Sequence, residues 1–279
     1  MKIAKNLQRG LKFGLCVVLL FRGGFVVAQS DTTTVTKTPD RPTVTPIRVL
    51  FVGNSYTYVN DLPWVTKSLA ASAPQTGALE TEVVAAAGAT LKSHWQTKTA
   101  LRAIRETRWD FVVLQEQSGM PLQDTNTMHL YARLFDAEIK KVHAKTVFFL
   151  TWSRKAKPET QASITEAYKA IASELNAEVA PVGVAWQNVN SKKAATLYNL
   201  DGSHPSPLGS YLAACVFYAV FYQKSPLGLS PAVYSTQFDQ GRNGDLKLVG
   251  KLGNEDARFI QTMAWQTVTN FSLQKDSRE

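Results

Sequence analysis

Phe111-Val112-Val113-Leu114 is apolar at four consecutive positions, with no alternation between apolar and polar side chains. Neighbouring side chains of a strand point to opposite faces of a sheet, so such a run suits a strand covered on both sides. Four more short strand candidates punctuate the chain, at 47–52, 82–86, 146–150 and 179–182. Helical spacing fills much of the space between them. Asp61 can cap a helix with Pro63 in its first turn that runs to Leu69, and 100–106 is a second segment. Met128, Tyr131, Phe135, Ile139 and Val142 recur at helical spacing, as do Ile164, Tyr168, Ile171 and Leu175. An apolar helix at 207–222 closes the pattern. Strand and helix alternate and antiparallel hairpin signals are lacking. The expected fold class is therefore α/β, a three-layer α/β/α sandwich around a mainly parallel sheet.

The first 28 residues carry Lys2, Lys5, Arg9 and Lys12, then an apolar core at 13–21, then Val26-Val27-Ala28 as a cleavage site. This is the pattern of a secretory signal peptide, with an apolar core short of the ~20 residues that span a bilayer. The expected product is exported, periplasmic or extracellular, with no stable membrane insertion after cleavage. Residues 29–46 are rich in Ser, Thr, Pro and Asp and read as a disordered lead-in. A single domain over 47–225 follows, with 226–279 as a C-terminal extension. That extension holds a Gly/Asn/Asp-rich stretch at 240–245 and an amphipathic helix at 257–271 that packs on the domain.

The signal carries five of the 31 Lys and Arg residues and no acids, which leaves 26 basic against 22 acidic side chains, a net +4. No basic run is interleaved with aromatics, so no nucleic-acid partner is expected. Cleavage at Ala28 removes Cys16 and leaves Cys215 as the one cysteine, so the mature chain has no internal disulfide.

In doubly wound folds the working groups gather beyond the carboxyl ends of the strands. Here that rule selects 53–57, 87–90, 115–118 and 151–154. Ser55 follows the first strand in Gly53-Asn54-Ser55-Tyr56-Thr57. A serine hydroxyl becomes a nucleophile only when a base takes its proton; otherwise Ser55 is a turn or cap residue. Asp201-Gly202-Ser203-His204-Pro205 supplies the complement: the carboxylate can reach Nδ1 of His204, leaving Nε2 to act on Ser55. Asp-Gly is also a common turn pair. Ser55 N–H and Gly88 N–H are candidate oxyanion donors, with a side-chain amide from Gln115 or, less favoured, Gln117. Asn54, Tyr56 and Trp152 are the candidate substrate contacts; Tyr58 and Trp95 stand beside the same loops, core packing being the alternative for each. His94 lies near a site loop, whereas His129 and His143 are expected to be solvated. No His/Asp/Glu cluster has ligand spacing, so neither a metal nor an organic cofactor is expected.

The Gly-Asn-Ser-Tyr-Thr stretch resembles the Gly-Asp-Ser opening of the SGNH (GDSL-type) esterases. Gly88 resembles that family's oxyanion glycine, and Asp201-Gly202-Ser203-His204 its closing Asp-x-x-His element, over roughly residues 47–225. Asn54 stands where the family has aspartate, and Leu114-Gln115-Glu116-Gln117-Ser118 replaces its Gly-x-Asn-Asp element, as in a bacterial subgroup with Leu-Gln-x-x-Ser. The resemblance implies a flavodoxin-like α/β/α fold and esterase, lipase or O-deacetylase activity. Gln115 then takes the place of the asparagine. The expected activity is hydrolysis of a carboxylic ester on a small molecule or glycan, with an O-acetyl group on a carbohydrate the favoured target. Acyl transfer to a sugar hydroxyl and non-catalytic glycan binding on the same fold are the alternatives.

Overall fold

The computed structural model describes residues 45–73, 76–193, 195–236 and 246–276. The signal peptide and nearly all of the lead-in read from the sequence lie outside the described residues, as does the 240–245 stretch. In chain order the elements are β1 Ile47–Gly53, α1 Ser55–Tyr58, α2 Leu62–Ala71, β2 Leu79–Ala85, α3 Leu91–Thr97, α4 Thr99–Glu106, β3 Phe111–Leu114 and α5 Met120–Gln123. They continue with α6 Thr125–Lys141, β4 Lys145–Phe149, α7 Gln161–Glu174, β5 Glu178–Ala180, α8 Val182–Lys192, α9 Pro207–Tyr222, β6 Ala232–Thr236, β7 Leu246–Lys251 and α10 Asn254–Asp276.

Strands β1 to β5 form one parallel sheet in the order β2-β1-β3-β4-β5. The pleat explains the unbroken apolar runs. Val49 and Phe51 of β1, Val113 of β3 and Val147 and Phe149 of β4 face one core, with α2, α8, α9 and α10. Leu50, Val52, Val112, Leu114, Phe148 and Leu150 face the other, with α3, α4, α6 and α7. All eleven residues just named are 0 % exposed. The α/β/α class is as expected from the sequence.

Helix α9 is buried along almost its whole length, which suits its all-round apolar composition. Phe217 and Phe221 meet Phe51 edge-on at 5.2 and 6.3 Å. Helix α10 completes the same face through Ile260, Met263, Ala264 and Val268, and Gln261 bonds Tyr211 Oη, Gly228 N and Leu229 O.

Several expectations need correction. β6 and β7 form an antiparallel ribbon that the lack of hairpin signals argued against. β2 begins at Leu79, because Glu80 and Glu82 alternate outward on an edge strand and mask its apolar positions. β5 stops at Ala180, since Pro181 has no N–H to give a ladder, and Val182 opens α8, a helix the sequence reading did not place. His129 is half-buried and bonds Ala167 O from α6 to α7, rather than being solvated.

Candidate active site

The strand order reverses between β1 and β3, and the crevice at that switch point holds the candidate site. β1 ends at Gly53, whose approach to its neighbours is tight. A Cβ there would lie 2.4 Å from Thr57 Oγ1 and 2.6 Å from Gln115 Oε1. The chain then turns through extended Asn54 into α1, whose first residue is Ser55. Asn54 caps that turn, its Oδ1 accepting from Tyr56 N at 3.1 Å. His94, buried in α3, donates from Nε2 to Gly53 O at 2.7 Å; burial lowers its pKa, so it serves as a neutral strut.

Ser55 Oγ and His204 Nε2 are 2.8 Å apart across a sequence gap of 149 residues. On the other side of the ring, His204 Nδ1 lies 2.5 Å from Asp201 Oδ2. The second carboxylate oxygen of Asp201 accepts from Ser203 N and His204 N at 2.9 and 3.0 Å. These bonds, that of His204 foremost, hold the Asp201 carboxyl well below its ordinary pKa, at about 2, so it stays ionised at any working pH. With Nδ1–H donating to that carboxylate, neutral His204 presents an unprotonated Nε2 to Ser55, the tautomer a general base needs.

The loop that carries the pair is pinned from several directions. Trp152 Nε1 donates to Ser203 O at 2.9 Å and Lys155 N to Gly202 O at 2.9 Å. Tyr56 Oη lies 2.7 Å from Ser203 Oγ, and Asn60 Nδ2 donates to Pro205 O at 3.0 Å. Tyr56 stands edge-on to His204 at 5.6 Å and stacks on Trp152 at 4.6 Å, which stacks on Trp186 at 4.0 Å. Trp152 is 1 % exposed. Its proposed contact with substrate is therefore corrected: it is a buried backing for Tyr56 and the His204 loop. Trp95 likewise packs inward, edge-on to Phe135 at 5.4 Å.

A cavity of about 370 Å³ opens over Ser55 and His204, lined by Asn54, Tyr56, Tyr58, Gly88, Gln117 and Arg154 among others. Ala89 N donates to Ala86 O at 3.1 Å, closing a turn in which Gly88 adopts φ +65°, a conformation that disfavours any side chain. Among the described residues neither Ser55 N–H nor Gly88 N–H has a hydrogen-bond acceptor, and both residues line the cavity.

Gln115 is placed differently from the expectation. It is 0 % exposed and does not line the cavity. Its Nε2 donates to Asn54 Oδ1 and Glu116 O at 2.9 and 2.7 Å, and its Oε1 accepts from Asn54 N and Thr57 Oγ1, each at 2.9 Å. Both amide hydrogens are spent, so the oxyanion role given to Gln115 is corrected to that of a buried strut fixing the Ser55 turn. Gln117, the less favoured candidate, does line the cavity. Its Oε1 accepts from Gly119 N at 2.7 Å, and its Nε2 has no partner among the described residues.

Between these two amides stands a residue that sequence reasoning passed over. Glu116 is 1 % exposed, and its Oε1 accepts from Gln117 N at 2.6 Å and Leu91 N at 3.2 Å. It thus ties the β3 loop to the start of α3, just beyond the Gly88 turn. Desolvation raises its pKa to about 7 in spite of those two donors. The signal was a carboxylate two residues after an apolar buried strand.

The described residues hold no group of three or more His, Cys, Asp or Glu side chains able to bind a metal. No helix among them is long and apolar enough to cross a membrane.

No family model and no curated protein matches the sequence. Solved structures do. A putative SGNH hydrolase from Slackia heliotrinireducens is 29 % identical, with a TM-score of 0.56 over 63 % of this chain and 100 % of that one. The fold is that of the SGNH hydrolases. A DUF4886 family protein from Bacteroides uniformis, 16 % identical, superposes with a TM-score of 0.59 over 81 % of this chain and 95 % of its own. The acetyl xylan esterase AlAXEase, 14 % identical, gives 0.53 over 62 % and 98 %. The SGNH fold puts β1, β2 and β3 beside one another, so Ser55, Gly88 and Gln117 follow three adjacent strands.

Proposed function

We propose that the protein is an exported serine esterase that hydrolyses a short-chain carboxylic ester, with an O-acetyl group on a carbohydrate as the favoured target. The observation that carries the reading is the aligned series Ser55 Oγ, His204 Nε2, His204 Nδ1 and Asp201 Oδ2, at 2.8 and 2.5 Å, beneath an open cavity. Ser55 attacks the carbonyl carbon while His204 takes its proton, and Asp201 stabilises the imidazolium. The oxyanion is held by Ser55 N–H and Gly88 N–H, with Gln117 Nε2 as the third donor. Collapse expels the alcohol, which receives the proton from His204; water then repeats the sequence on the acyl-enzyme. Asn54 and Tyr56 wall the acyl group. A cavity of this size suits an acetyl group on a sugar better than a long acyl chain, and a fold neighbour is itself named an acetyl xylan esterase. The expected export rests on the signal-like N-terminus.

The first test is hydrolysis of aryl esters of increasing chain length, with labelling by a serine-directed fluorophosphonate. Acetate and propionate should turn over fastest, and label should map to Ser55. A protein that neither hydrolyses these esters nor takes up label is not a serine esterase. Adding a free sugar and looking for a new sugar ester separates hydrolysis from transfer.

The two glutamines provide a second test. Gln117→Ala should keep its melting temperature and lose kcat by about 10²–10³-fold, the usual cost of one oxyanion donor. Gln115→Ala should instead lower stability, since several buried partners lose their bonds at about 1–3 kcal/mol each. Thermal unfolding alongside acetate turnover reads both, and the reverse pattern would reinstate Gln115 as the donor.

A further inference from the structure

A second cavity of about 190 Å³ adjoins the first, lined by Ser118, Leu122, Gln123, Arg154, Lys157 and Thr160 among others. Ser118 and Arg154 belong to both linings, so the two form one groove with Arg154 on the shared wall. Among the described residues no acidic side chain lines either part. No ion pair among the described residues includes Arg154 or Lys157.

Several surface cations among the described residues are already spent on carboxylates. Arg48, Arg105, Arg133, Lys140, Lys141, Lys169 and Lys193, for instance, all have carboxylate partners. Arg154 differs because its backbone is fixed on both sides. Ser153 N donates to buried Gln161 Oε1 at 2.7 Å, Ser153 O accepts from Tyr198 Oη at 2.8 Å, and Lys155 N bonds Gly202 O of the His204 loop at 2.9 Å. A guanidinium is thereby presented at the rim of the catalytic cavity by a clamped loop, with its charge uncompensated. Such a group binds a planar carboxylate through two parallel hydrogen bonds; the fixed backbone spares the cost of ordering the loop, and the exposed side chain gives up only its own rotamer freedom.

We propose that the annex is a subsite for an anionic sugar: the substrate is an acylated glycan whose carboxylate, as in a uronic acid unit, is held by Arg154 with Lys157 beside it. The ester then lies over Ser55 in the larger cavity. The inference rests on the esterase reading and narrows its substrate class. Ser118, Gln123 and Thr160 supply polar contacts for ring hydroxyls, and exposed Leu122 an apolar contact for a sugar face.

The test uses two O-acetylated methyl glycosides that differ only at C6, one a glucoside with a hydroxymethyl group and one a glucuronoside with a carboxylate. A 6-sulfated glucoside is the third arm. Wild type should hydrolyse the glucuronoside with kcat/KM at least 10-fold above that of the neutral glucoside, chiefly through KM. In Arg154→Gln the two should converge, and in Lys157→Gln the preference should shrink without vanishing. Raising salt should erode the preference in wild type. Binding of unacylated methyl glucuronoside, measured by calorimetry, gives a readout independent of turnover, and its Kd should rise about 10-fold or more in Arg154→Gln. Equal rates on all three sugars, with the aryl acetate still cleaved, would remove the subsite and leave the esterase intact. A preference for the sulfated sugar alone would overturn the carboxylate assignment. Failure to bind the glucuronoside at all would end the proposal whatever the fate of the esterase reading.

Discussion

Ser55→Ala should lower kcat on a short-chain ester by about 10⁶-fold, and His204→Ala by a similar factor, because nucleophile and base act as one unit. For the same reason the double variant should be no worse than either single one. Asp201→Ala should cost less, about 10⁴–10⁵-fold, since it orients and stabilises the histidine rather than reacting itself. Its two bonds to backbone N–H groups also mean that its loss loosens the 201–204 turn. Folding should survive the Ser55 change. Among the described residues the one side-chain bond that Ser55 makes is the one to His204, and Asn54, not Ser55, caps the first turn of α1. Rates on an aryl acetate, with melting temperature as the control, decide the matter. A Ser55→Ala protein within 100-fold of wild type would assign the hydrolysis to some other group. A fully active His204→Ala protein would assign the base elsewhere.

The parts of the fold legible in the sequence are those where one physical requirement dominates. β1, β3 and β4 are covered on both faces, so each carries an unbroken apolar run, at 49–52, 111–114 and 147–149, unlike any loop. α6 and α7 each bury a single stripe, and their periodicity shows it. β6 and β7 gave no such signal: they form a two-stranded ribbon outside the parallel sheet, with a β-bulge at Val233/Tyr234. α8 was hidden because Val182-Gly183-Val184-Ala185 continues the apolarity of β5, and only the ring of Pro181 separates strand from helix.

The site follows the same logic. That Ser55, Asp201 and His204 meet was legible because a nucleophile, base and acid in series demand particular residue types, and Asp201 is close enough to His204 in sequence for a turn to join them. Which glutamine faces the cavity was not legible. Gln115 and Gln117 both follow β3, and strand alternation would point them the same way. The choice is made by Asn54 and Thr57, whose polar atoms close around Gln115 from a segment some sixty residues earlier. Trp152 was misassigned for a related reason. A large aromatic at a strand end can line a crevice or back it, and the stack with Trp186 of α8 draws it inward.

Glu116 leads to a result that its sequence position alone would not suggest. Its carboxyl has a pKa of about 7 in the native protein against an ordinary 4.5, because burial penalises the charged form more than two backbone N–H donors favour it. The native state therefore holds this proton more tightly than the unfolded chain does. Stability must fall as pH rises from about 4.5 to about 7, and level off above that. At about 1.4 kcal/mol per unit, the loss approaches roughly 3 kcal/mol by pH 8. Tyr168 of α7 is the titratable side chain coupled to it, and burial raises that phenol's pKa, so it stays neutral across the range. Glu116→Gln removes the penalty but keeps an oxygen able to accept from both Gln117 N and Leu91 N. It should match wild type in stability near pH 5, exceed it at pH 8 by roughly 6–12 °C in Tm, and retain most of its kcat. Glu116→Ala has no oxygen to offer. The loops bearing Gly88 and Gln117 lose their common tie, so kcat should fall by about 10-fold or more while KM changes little, and the glutamine variant should rescue it. Unfolding curves for the three proteins at pH 5 and pH 8, with turnover at pH 8, test both halves. Parallel Tm values for wild type and Glu116→Gln would mean that Glu116 does not titrate in this interval. An alanine variant as active as wild type would mean that the two loops keep their places without it.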